Sequence, residues 1–274
     1  ILRRCHTFFE KYWQNVMRKN VIRVPQGCPT VQKAMDLAVI FSERKEYTGN
    51  DPLKIRLEEG VHEIVGGDRG RMNVTCSHIT FVGKGKDQTT IRGGFKVENQ
   101  QNVKFEELTI THDGGYGLRL LGSETTVDVL KCVVKECGVT GMSVYTGASV
   151  TATLCEFMEN GGNGVYCADA NTKARLNDCK MYHNGNHGLF AYDRAVMDIH
   201  GTKTDIHSNN GHGIRAWYRS KVNIHLLSQH NTSHDNVGDD RSQEAIVGMT
   251  IAGSIANINA DGTFTHVGVE DNDD

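Results

Sequence analysis

The sequence predicts an all-β fold, a right-handed parallel β-helix with coils of about 24 residues and an N-terminal helical cap. Glycines recur at intervals of 24, 23, 24 and 25 residues. Each glycine opens a short segment in which apolar residues alternate with mixed ones, the pattern of a strand with one buried face. These glycines are Gly117, Gly141, Gly164, Gly188 and Gly213.

The first strand of each period reads GLRLL, GMSVY, GVYCA, GLFAY or GIRAW. Because successive side chains of a strand point to opposite faces, the residues one and three positions after the glycine are predicted to be buried. One position after the glycine stand Leu118, Met142, Val165, Leu189 and Ile214. Three positions after it stand Leu120, Val144, Cys167, Ala191 and Ala216.

A second strand follows in each period, as in TVDVLKCVV, SVTATLCEF and KARLNDCKM, and a third short strand completes the coil. Such a period leaves no room for a crossover helix, so each coil must return to its start and stack on the previous coil. Cys132, Cys155 and Cys179 fall in register, with Leu108 before them and Thr202 after them. Parallel stacked side chains are poorly placed for a disulfide, so we expect reduced, buried thiols.

The chain is predicted to divide into an N-terminal helical segment and cap over residues 1–52, the β-helix over 53–260 and a C-terminal tail over 261–274. A capping helix is expected between Thr30 and Lys45, with Thr30 as its N-cap. An earlier helix is expected around Phe8 to Met17, and an irregular coil or cap after His230. The apolar face of the capping helix would consist of Val31, Ala34, Met35, Ala38 and Phe41.

The coils carry Asn/Gly turns, in MENGGNGVY, YHNGNHGLF and HSNNGHGIR. With these turns, and with IRVPQGCPTVQKAMDLAV, LKIRLEEGVHEI and ITFVGKGKDQTTIRGGF before them, the chain resembles the pectin-lyase-like β-helix superfamily over roughly residues 21–260. In style it is similar to the non-catalytic β-helix repeats of F-box substrate-recognition proteins. Cysteine replaces the family's usual Asn between the second and third strands. The resemblance implies a fold rather than a function, because the superfamily contains lyases, hydrolases, epimerases and non-enzymes.

In enzymes of this superfamily the active site usually lies on the outer face of the first sheet, which the alternation allows us to predict. Aromatic side chains beside cations suit stacking on sugar rings or gripping a protein segment. Aromatic stacks on neighbouring strands also stabilise sheets without any ligand. The same outward positions include Ser143 and Ala168. The predicted binding residues are Tyr145, Tyr166, Phe190, Tyr192, Arg215 and Trp217.

A lyase or epimerase would need a cation to neutralise a uronate, a base and a proton donor. Arg215 or Arg194 could neutralise the uronate carboxylate. His187 or His212 could act as the base, and Tyr192 could act as the proton donor. Against this stand the absence of an acidic cluster on adjacent coils, the absence of the Asp-Pro-His-Asp motif of alginate epimerases, and uniformly short coils. The alternative is that His187 and His212 stack on each other and cap turns.

We therefore expect a non-catalytic β-helix that presents an aromatic and charged outer face to a protein or polysaccharide partner. The alternative is a carbohydrate-active enzyme, a lyase, epimerase or hydrolase acting on an acidic polysaccharide. The net charge of −3 and the absence of a basic stripe argue against a nucleic-acid partner. The sequence contains no run of about 18 apolar residues, so no membrane span is predicted. No cofactor is expected. No metal site is expected either, because the neighbouring histidines His183, His187, His207 and His212 lie in turns and not on a helix. Reduced stacked thiols favour an intracellular protein, because an oxidising compartment would usually exploit the eight cysteines of the chain.

Overall fold

The computed structural model confirms the predicted all-β parallel β-helix, with about eight coils of about 24 residues. The structure describes residues 14, 16, 18–67, 69–225, 233–244, 252–258 and 264–266. Three sheets run along the axis, and each coil contributes one strand to each sheet in turn. Sheet I contains the first strand of each coil, sheet II the second strand and sheet III the third.

Sheet I holds eight strands: β4 Arg71–Val74, β7 Gly94–Glu98, β10 Leu118–Leu121, β13 Met142–Tyr145, β16 Val165–Ala168, β19 Leu189–Tyr192, β22 Ile214–Trp217 and β25 Arg241–Glu244. Sheet II holds eleven: β1 Val21–Val24, β2 Leu53–Leu57, β5 Ile79–Val82, β8 Val103–Glu106, β11 Thr126–Leu130, β14 Ser149–Thr153, β17 Lys173–Asn177, β20 Val196–His200, β23 Lys221–His225, β26 Ser254–Ile258 and β27 Phe264–His266. Sheet III holds eight: β3 Gly60–Glu63, β6 Thr89–Arg92, β9 Thr109–Thr111, β12 Val133–Lys135, β15 Glu156–Met158, β18 Lys180–Tyr182, β21 Asp205–His207 and β24 Ser233–His234.

The predicted register of sheet I is confirmed. Leu118 pairs with Met142, Met142 with Val165, Val165 with Leu189 and Leu189 with Ile214, and all five are fully buried. The second inward column is buried in the same way. Every coil therefore places apolar side chains above those of the previous coil, and this continuous stack is the hydrophobic core. The second inward column consists of Leu120, Val144, Cys167, Ala191 and Ala216.

The capping helix α1 spans Val31–Ser42. The Thr30 side chain accepts a hydrogen bond from the Lys33 N–H at 3.2 Å, as predicted for an N-cap. All five residues of the predicted apolar face are buried. The segment before residue 53 also contributes β1, which pairs in parallel with β2. The earlier helix predicted around Phe8 to Met17 lies mainly outside the described residues.

The cysteine column lies at the corner between sheets II and III. Cys132, Cys155 and Cys179 are buried and unbridged. The Cys155 thiol donates to the Val129 carbonyl oxygen at 3.3 Å, across one coil. The prediction that Thr202 continues this column after Cys179 was wrong, because Thr204 occupies that position. The link between β20 and β21 covers 201–204, whereas that between β17 and β18 covers only 178–179.

The next corner, between sheets III and I, holds an asparagine ladder that the sequence analysis did not identify. The Asn160 side-chain N–H donates to the Asn184 side-chain oxygen at 2.9 Å, and Asn184 donates likewise to Asn209 at 2.9 Å. Asn209 donates to Asn236 at 2.8 Å. Asn160, Asn184 and Asn209 are buried. The polar corner is stable because each buried amide has hydrogen-bonding partners in neighbouring coils.

The C-terminal end closes with a change of strand direction. β26 continues sheet II in parallel, but β27 pairs with β26 in the antiparallel sense. Within the range predicted as the C-terminal tail, residues 261–274, the structure describes the strand β27. No helix in the described part of the chain is long and apolar enough to cross a membrane.

Candidate functional site

The predicted binding residues lie together on the outer face of sheet I. Tyr166, Phe190 and Arg215 form one outward column, in register on successive strands. Tyr192 and Trp217 stand in a second outward column, two residues further along the same strands, and Tyr145 belongs to this column on β13. Since each strand alternates inward and outward positions, burying the core necessarily turns these residues to the outside.

Five aromatic side chains on this face contact one another, and we call them the aromatic row. Ring centroids are 5.4 Å apart for Tyr145 and Tyr166, and 5.2 Å apart for Tyr166 and Phe190. Phe190 lies 6.4 Å from Trp217 in a stacked arrangement, and Tyr192 lies 5.8 Å from Trp217. Each ring is partly exposed. The row is therefore a continuous apolar surface with one side open to solvent.

Two predicted outward residues are not exposed. Ser143 has 0% and Ala168 2% of its surface accessible, although both occupy outward columns. Their small side chains lie beside the bulky rings of Tyr145, Tyr166 and Tyr192 in the same columns. The sequence correctly predicted that Ser143 and Ala168 point outward. It did not predict that they are buried, because neighbouring rings cover their small side chains.

Two more tyrosines extend the aromatic row, and the sequence analysis missed both. The Tyr116 ring lies 5.8 Å from the guanidinium carbons of Arg71 and of Arg119. The Tyr218 ring stacks on Tyr192 at 5.8 Å. Both residues lie in turns just outside the strands, where period-two alternation gives no signal.

Two tyrosines of the row, Tyr145 and Tyr166, remain protonated. Burial is the main cause that raises the pKa of Tyr145 to about 12, and burial also raises the pKa of Tyr166. A phenol with a raised pKa keeps its O–H as a hydrogen-bond donor over the physiological range.

The residues before Gly141, Gly164, Gly188 and Gly213 form a second ladder, which we call the turn ladder and which consists of Thr140, Asn163, His187 and His212. Each side chain accepts a hydrogen bond from the backbone N–H one coil further on. Thr140 Oγ1 accepts from Asn163 at 3.3 Å, and Asn163 Oδ1 accepts from His187 at 3.1 Å. His187 Nδ1 accepts from His212 at 2.9 Å, and His212 Nδ1 accepts from Asp239 at 2.9 Å. The ring centroids of His187 and His212 are 5.1 Å apart in a stacked arrangement, as predicted by the alternative in which the two histidines stack and cap turns.

This ladder fixes the chemistry of both histidines. A backbone N–H can only donate, so Nδ1 of each ring must carry the lone pair and Nε2 must carry the proton. His187 is only 4% exposed, and its pKa is lowered to about 3, first by burial and then by electrostatic interaction with Arg215 and His212. The basic nitrogen of each ring is thus already occupied as a backbone acceptor. Neither histidine has the free lone pair that the predicted role of general base requires.

Arg215 lies between two rings of the aromatic row. Its guanidinium carbon is 5.4 Å from the Phe190 ring centroid and 4.8 Å from that of Trp217. Its Nη1 is 3.1 Å from Nε2 of His187. The other predicted cation, Arg194, is exposed in the loop after β19 and forms a bidentate pair with Asp193 at 2.9 and 3.3 Å. The structure therefore brings Arg215 and His187 together, and it engages Arg194 elsewhere.

The model of a right handed beta helix region matches residues 65–237. The chain belongs to this family. No curated protein matches the sequence. Among solved structures, the ORF18 protein of Geobacillus virus E2 is similar in fold, with a TM-score of 0.52 and 11% identity over 89% of this chain; the chain spans 62% of that protein.

Two enzymes with solved structures share the architecture of this β-helix family member. Pectin methylesterase PemA from Erwinia chrysanthemi has a TM-score of 0.50 and 11% identity, covering 89% of this chain and 90% of its own. Pectin methylesterase from carrot has a TM-score of 0.51 and 12% identity, covering 87% of each chain. At such identities the similarity shows the pectin-lyase-like fold alone.

In this β-helix, the outer face of sheet I is poor in carboxylates. From β7 to β22, the two outward columns carry one carboxylate, Glu98, and it pairs with Lys96 at 2.6 Å. Acid–base chemistry on a sugar generally uses two groups with different protonation states. These two columns offer rings and N–H donors instead.

His183 and His207 lie on the sheet III side of the fold, away from His187 and His212. The His207 ring lies between Tyr182 at 5.2 Å and His234 at 5.3 Å, and His183 lies 6.1 Å from His207. Within the described ranges, no group of three or more His, Cys, Asp or Glu side chains is placed to hold a metal ion.

Proposed function

We propose that this protein is a non-catalytic binding β-helix that presents the outer face of sheet I to a polysaccharide or protein partner. The observation that carries the proposal is the occupation of both histidine lone pairs by backbone N–H groups. A face whose two histidines have their lone pairs occupied, and which carries rings and N–H donors, is suited to hold a ligand rather than to move its protons.

The dimensions of the aromatic row suit an extended ligand. Tyr145, Tyr166, Phe190 and Trp217 come from four successive strands. Parallel strands are about 4.8 Å apart, so the row extends for about 14 Å along the axis. Its rings are partly exposed and their planes are fixed by contacts with one another, so ordering them for binding costs little entropy.

The second candidate function is a carbohydrate-active enzyme acting on an acidic polysaccharide. It is favoured by the placement of Arg215, His187 and Tyr192 on one face of a fold shared with two pectin methylesterases. It requires a base that the turn ladder does not leave available. Product formation would distinguish it from the proposed function.

The test replaces two rings of the row, as Tyr192→Ala with Trp217→Ala. Wild-type protein and variant are titrated with polygalacturonate, alginate and neutral xyloglucan, and new reducing ends and C5-epimerised residues are measured in the same samples. We expect wild type to bind without releasing products, and the double variant to lose about tenfold or more in affinity, as when aromatic anchors are truncated. Tyr182→Ala, which removes a partly buried ring from sheet III, is the matched control and should bind as wild type does.

A protein partner is tested with a photo-crosslinking residue placed at position 217 or, as control, at position 182. Crosslinks formed only from position 217, and competed by excess unlabelled wild type but not by the double variant, would support the face as an interface. Two results contradict the proposal: a folded double variant that binds like wild type, and released products, which would indicate an enzyme.

A further inference from the structure

The outer face of sheet II carries a regular pattern of charges. Neighbouring strands of this sheet are in register, so their outward side chains form columns along the axis. The central column, from β8 to β20, consists of Lys104, Asp128, Thr151, Arg175 and Asp198. The charges follow the order positive, negative, neutral, positive, negative. The same column in reverse order therefore has the opposite sign at every charged position, with Thr151 at its centre.

The charged side chains of the central column are accessible. Asp128 and Arg175 are exposed, and Lys104 and Asp198 are half-buried. Within the chain, Lys104 Nζ lies 3.1 Å from Asp128 Oδ2. The Asn223 side-chain N–H donates to Asp198 Oδ1 at 2.9 Å. These contacts hold both carboxylates in place on a surface that a second molecule can meet.

A second copy of the chain is complementary to this column. When two copies meet with their sheet II faces opposed and their axes antiparallel, a two-fold axis along β14 places β11 opposite β17 of the second copy and β8 opposite β20. Lys104 then faces Asp198 of the second copy, and Asp128 faces Arg175 of the second copy. Symmetry repeats both contacts, as in any isologous interface. Each charge then has its nearest neighbours among charges of the opposite sign.

The strand on the two-fold axis satisfies a further requirement. Residues there face their own counterparts, so charged side chains at these positions would repel each other. The outward residues of β14 are Ser149, Thr151 and Thr153, all of them neutral hydroxyl side chains. Among the five sheet II strands from β8 to β20, β14 is the one without an outward Lys, Arg, Asp or Glu. The charged outward residues of the other four are Lys104, Glu106, Asp128, Lys173, Arg175 and Asp198.

The charges disfavour the alternative arrangements. An axis along β11 or β17 would bring Asp128 or Arg175 against its own counterpart. An axis between β11 and β14 would place Lys104 opposite Arg175, and one between β14 and β17 would place Asp128 opposite Asp198. Parallel axes would set every charge of the column against itself. Because like charges in contact oppose association, the pattern selects the antiparallel arrangement about β14.

The flanking columns of the face are compatible with this register. On one side Glu106 faces His200 of the second copy. On the other side Lys173 of the second copy faces Thr126, beside a groove of about 200 Å³ lined mainly by β11 and β14. Asp128 also lines this groove, so the incoming ammonium group meets a carboxylate rather than another cation.

We propose that the protein forms a homodimer through the outer faces of sheet II, with antiparallel axes and a two-fold axis along β14. The nine strands from β2 to β26 extend for about 38 Å along the axis and about 16 Å across it. Each copy thus buries about 600 Å², and the total of about 1,200 Å² lies at the lower limit for specific interfaces. A charged interface of this size predicts a weak, salt-sensitive dimer. The inference goes beyond the proposed function and does not depend on it, because the aromatic row lies on sheet I.

The first test measures the oligomeric state of the full chain by sedimentation velocity, at protein concentrations from about 1 to about 200 µM. In about 50 mM sodium chloride we expect dimer to form as concentration rises. In about 500 mM sodium chloride we expect it to dissociate, because salt screens charges at the surface. A monomer throughout this range in low salt, or a dimer indifferent to salt, would overturn the proposal.

Charge reversal tests which residues face each other. Asp128→Arg and Arg175→Asp each create two contacts between like charges, so each should weaken the homodimer by about tenfold or more. A mixture of the two variants should recover dimer, because the two reversed residues then face each other and the other Asp128 and Arg175 keep their normal contact. Circular dichroism verifies that both variants are folded. Weakening in each variant without recovery in the mixture would disprove the register.

Lys180→Asp is the matched control, since it reverses an exposed charge of the same sign on the outer face of sheet III. It should dimerise as wild type does. Dimerisation lost equally in this control and in Arg175→Asp would show that net charge, not the sheet II pattern, governs association, and would overturn the proposal.

The position of the axis is tested independently with a single added thiol. Thr151→Cys places it opposite its own counterpart, across a face-to-face sheet separation of about 10 Å that a short bismaleimide spans. Asn223→Cys is the control, because the same arrangement separates its two thiols by about 29 Å along the axis. Wild type gives the background, which should be low because the described cysteines are buried. Crosslinking of Thr151→Cys no greater than that of Asn223→Cys would overturn the axis even if the chain dimerises.

Discussion

At the scale of single residues, the turn ladder shows that the fold requires a hydrogen-bond acceptor at a fixed place and not a particular residue type. Threonine, asparagine and histidine fill equivalent positions at Thr140, Asn163 and His187, and each offers one acceptor atom to the next coil. A buried backbone N–H without a partner costs about 1–3 kcal/mol, so an acceptor is needed and its chemical identity is not. A histidine in this position is neutral and has a structural role.

This role predicts the effect of two substitutions at His187. His187→Ala leaves the His212 N–H without its acceptor, and we expect a loss of about 1–3 kcal/mol in the free energy of unfolding, measured with urea near neutral pH. His187→Asn keeps an acceptor at the same place and should lose clearly less. Equal losses in the two variants would mean that the ring's packing, not its hydrogen bond, is what stabilises the turn.

The same residue makes a signed contribution to acid stability. The pKa of His187 is about 3 in the folded protein, against 6.5 for the unperturbed group. Between these values the unfolded chain binds more protons, so this stabilising contribution is fully present above about 6.5 and is lost as pH falls towards 3. His187→Asn should therefore lose less stability than wild type between about pH 7 and about pH 4. His234, whose pKa is raised by Asp235 and then by Asp205, is present in both proteins and cancels in the comparison.

At the scale of elements, the strands of sheet I and the cysteine column were predictable, and the corner that holds the asparagine ladder was not. Alternation gave the register of Leu118 to Ile214 because burial of one face repeats every two residues. The corners depend on backbone conformation. Glu159, His183, Ser208 and Asp235 all adopt left-handed φ values of 54–55° before the asparagine ladder. Apart from Asp235, these residues give no turn signal in a sequence, and the longer link at 201–204 displaced the predicted threonine.

The candidate site divides in the same way. The rings from Tyr145 to Trp217 could be predicted, because they stand on strands whose faces were known. Tyr116 and Tyr218 could not, since they lie in turns. The contact between His187 and Arg215 joins residues three positions apart in adjacent coils, and only side-chain geometry shows which nitrogen faces which.

The stacked inward column predicts how strongly one coil depends on its neighbours. Leu189 is fully buried between Val165 and Ile214. Leu189→Ala should cost about 2–5 kcal/mol through the cavity it leaves, and Leu189→Asp should unfold the domain, because an unpaired charge would be buried. Circular dichroism with urea titration measures both. As a control, Leu154→Asp changes a leucine that is 40% exposed at a left-handed corner, and it should shift stability by no more than about 0.5 kcal/mol.

At the scale of the whole molecule, the ends of the solenoid need protection. A parallel stack presents unpaired backbone groups at its terminal strands, and such edges invite pairing with other chains. At the N-terminal end, α1 packs against β1 and β2 with Val31, Met35 and Phe41 almost completely buried. At the other end, the antiparallel pairing of β27 with β26 interrupts the repeat. The two ends of sheet II thus differ: a helix packs on the first strands, and an antiparallel strand follows the last parallel one.

Removal of the N-terminal cap tests this protection. Deleting residues 1–52 removes β1 and α1, so the edge of β2 and the apolar surface beneath the helix become accessible. We expect concentration-dependent association, measured by size-exclusion chromatography with light scattering, because edge pairing and apolar burial both favour contact between chains. Thr30→Ala is the control, since it weakens the helix N-cap by about 1 kcal/mol and leaves the edge covered. It should keep the oligomeric state of wild type. A deleted protein that keeps that state at all concentrations, with wild-type thermal stability, would show that the end of sheet II is protected by the first full coil itself.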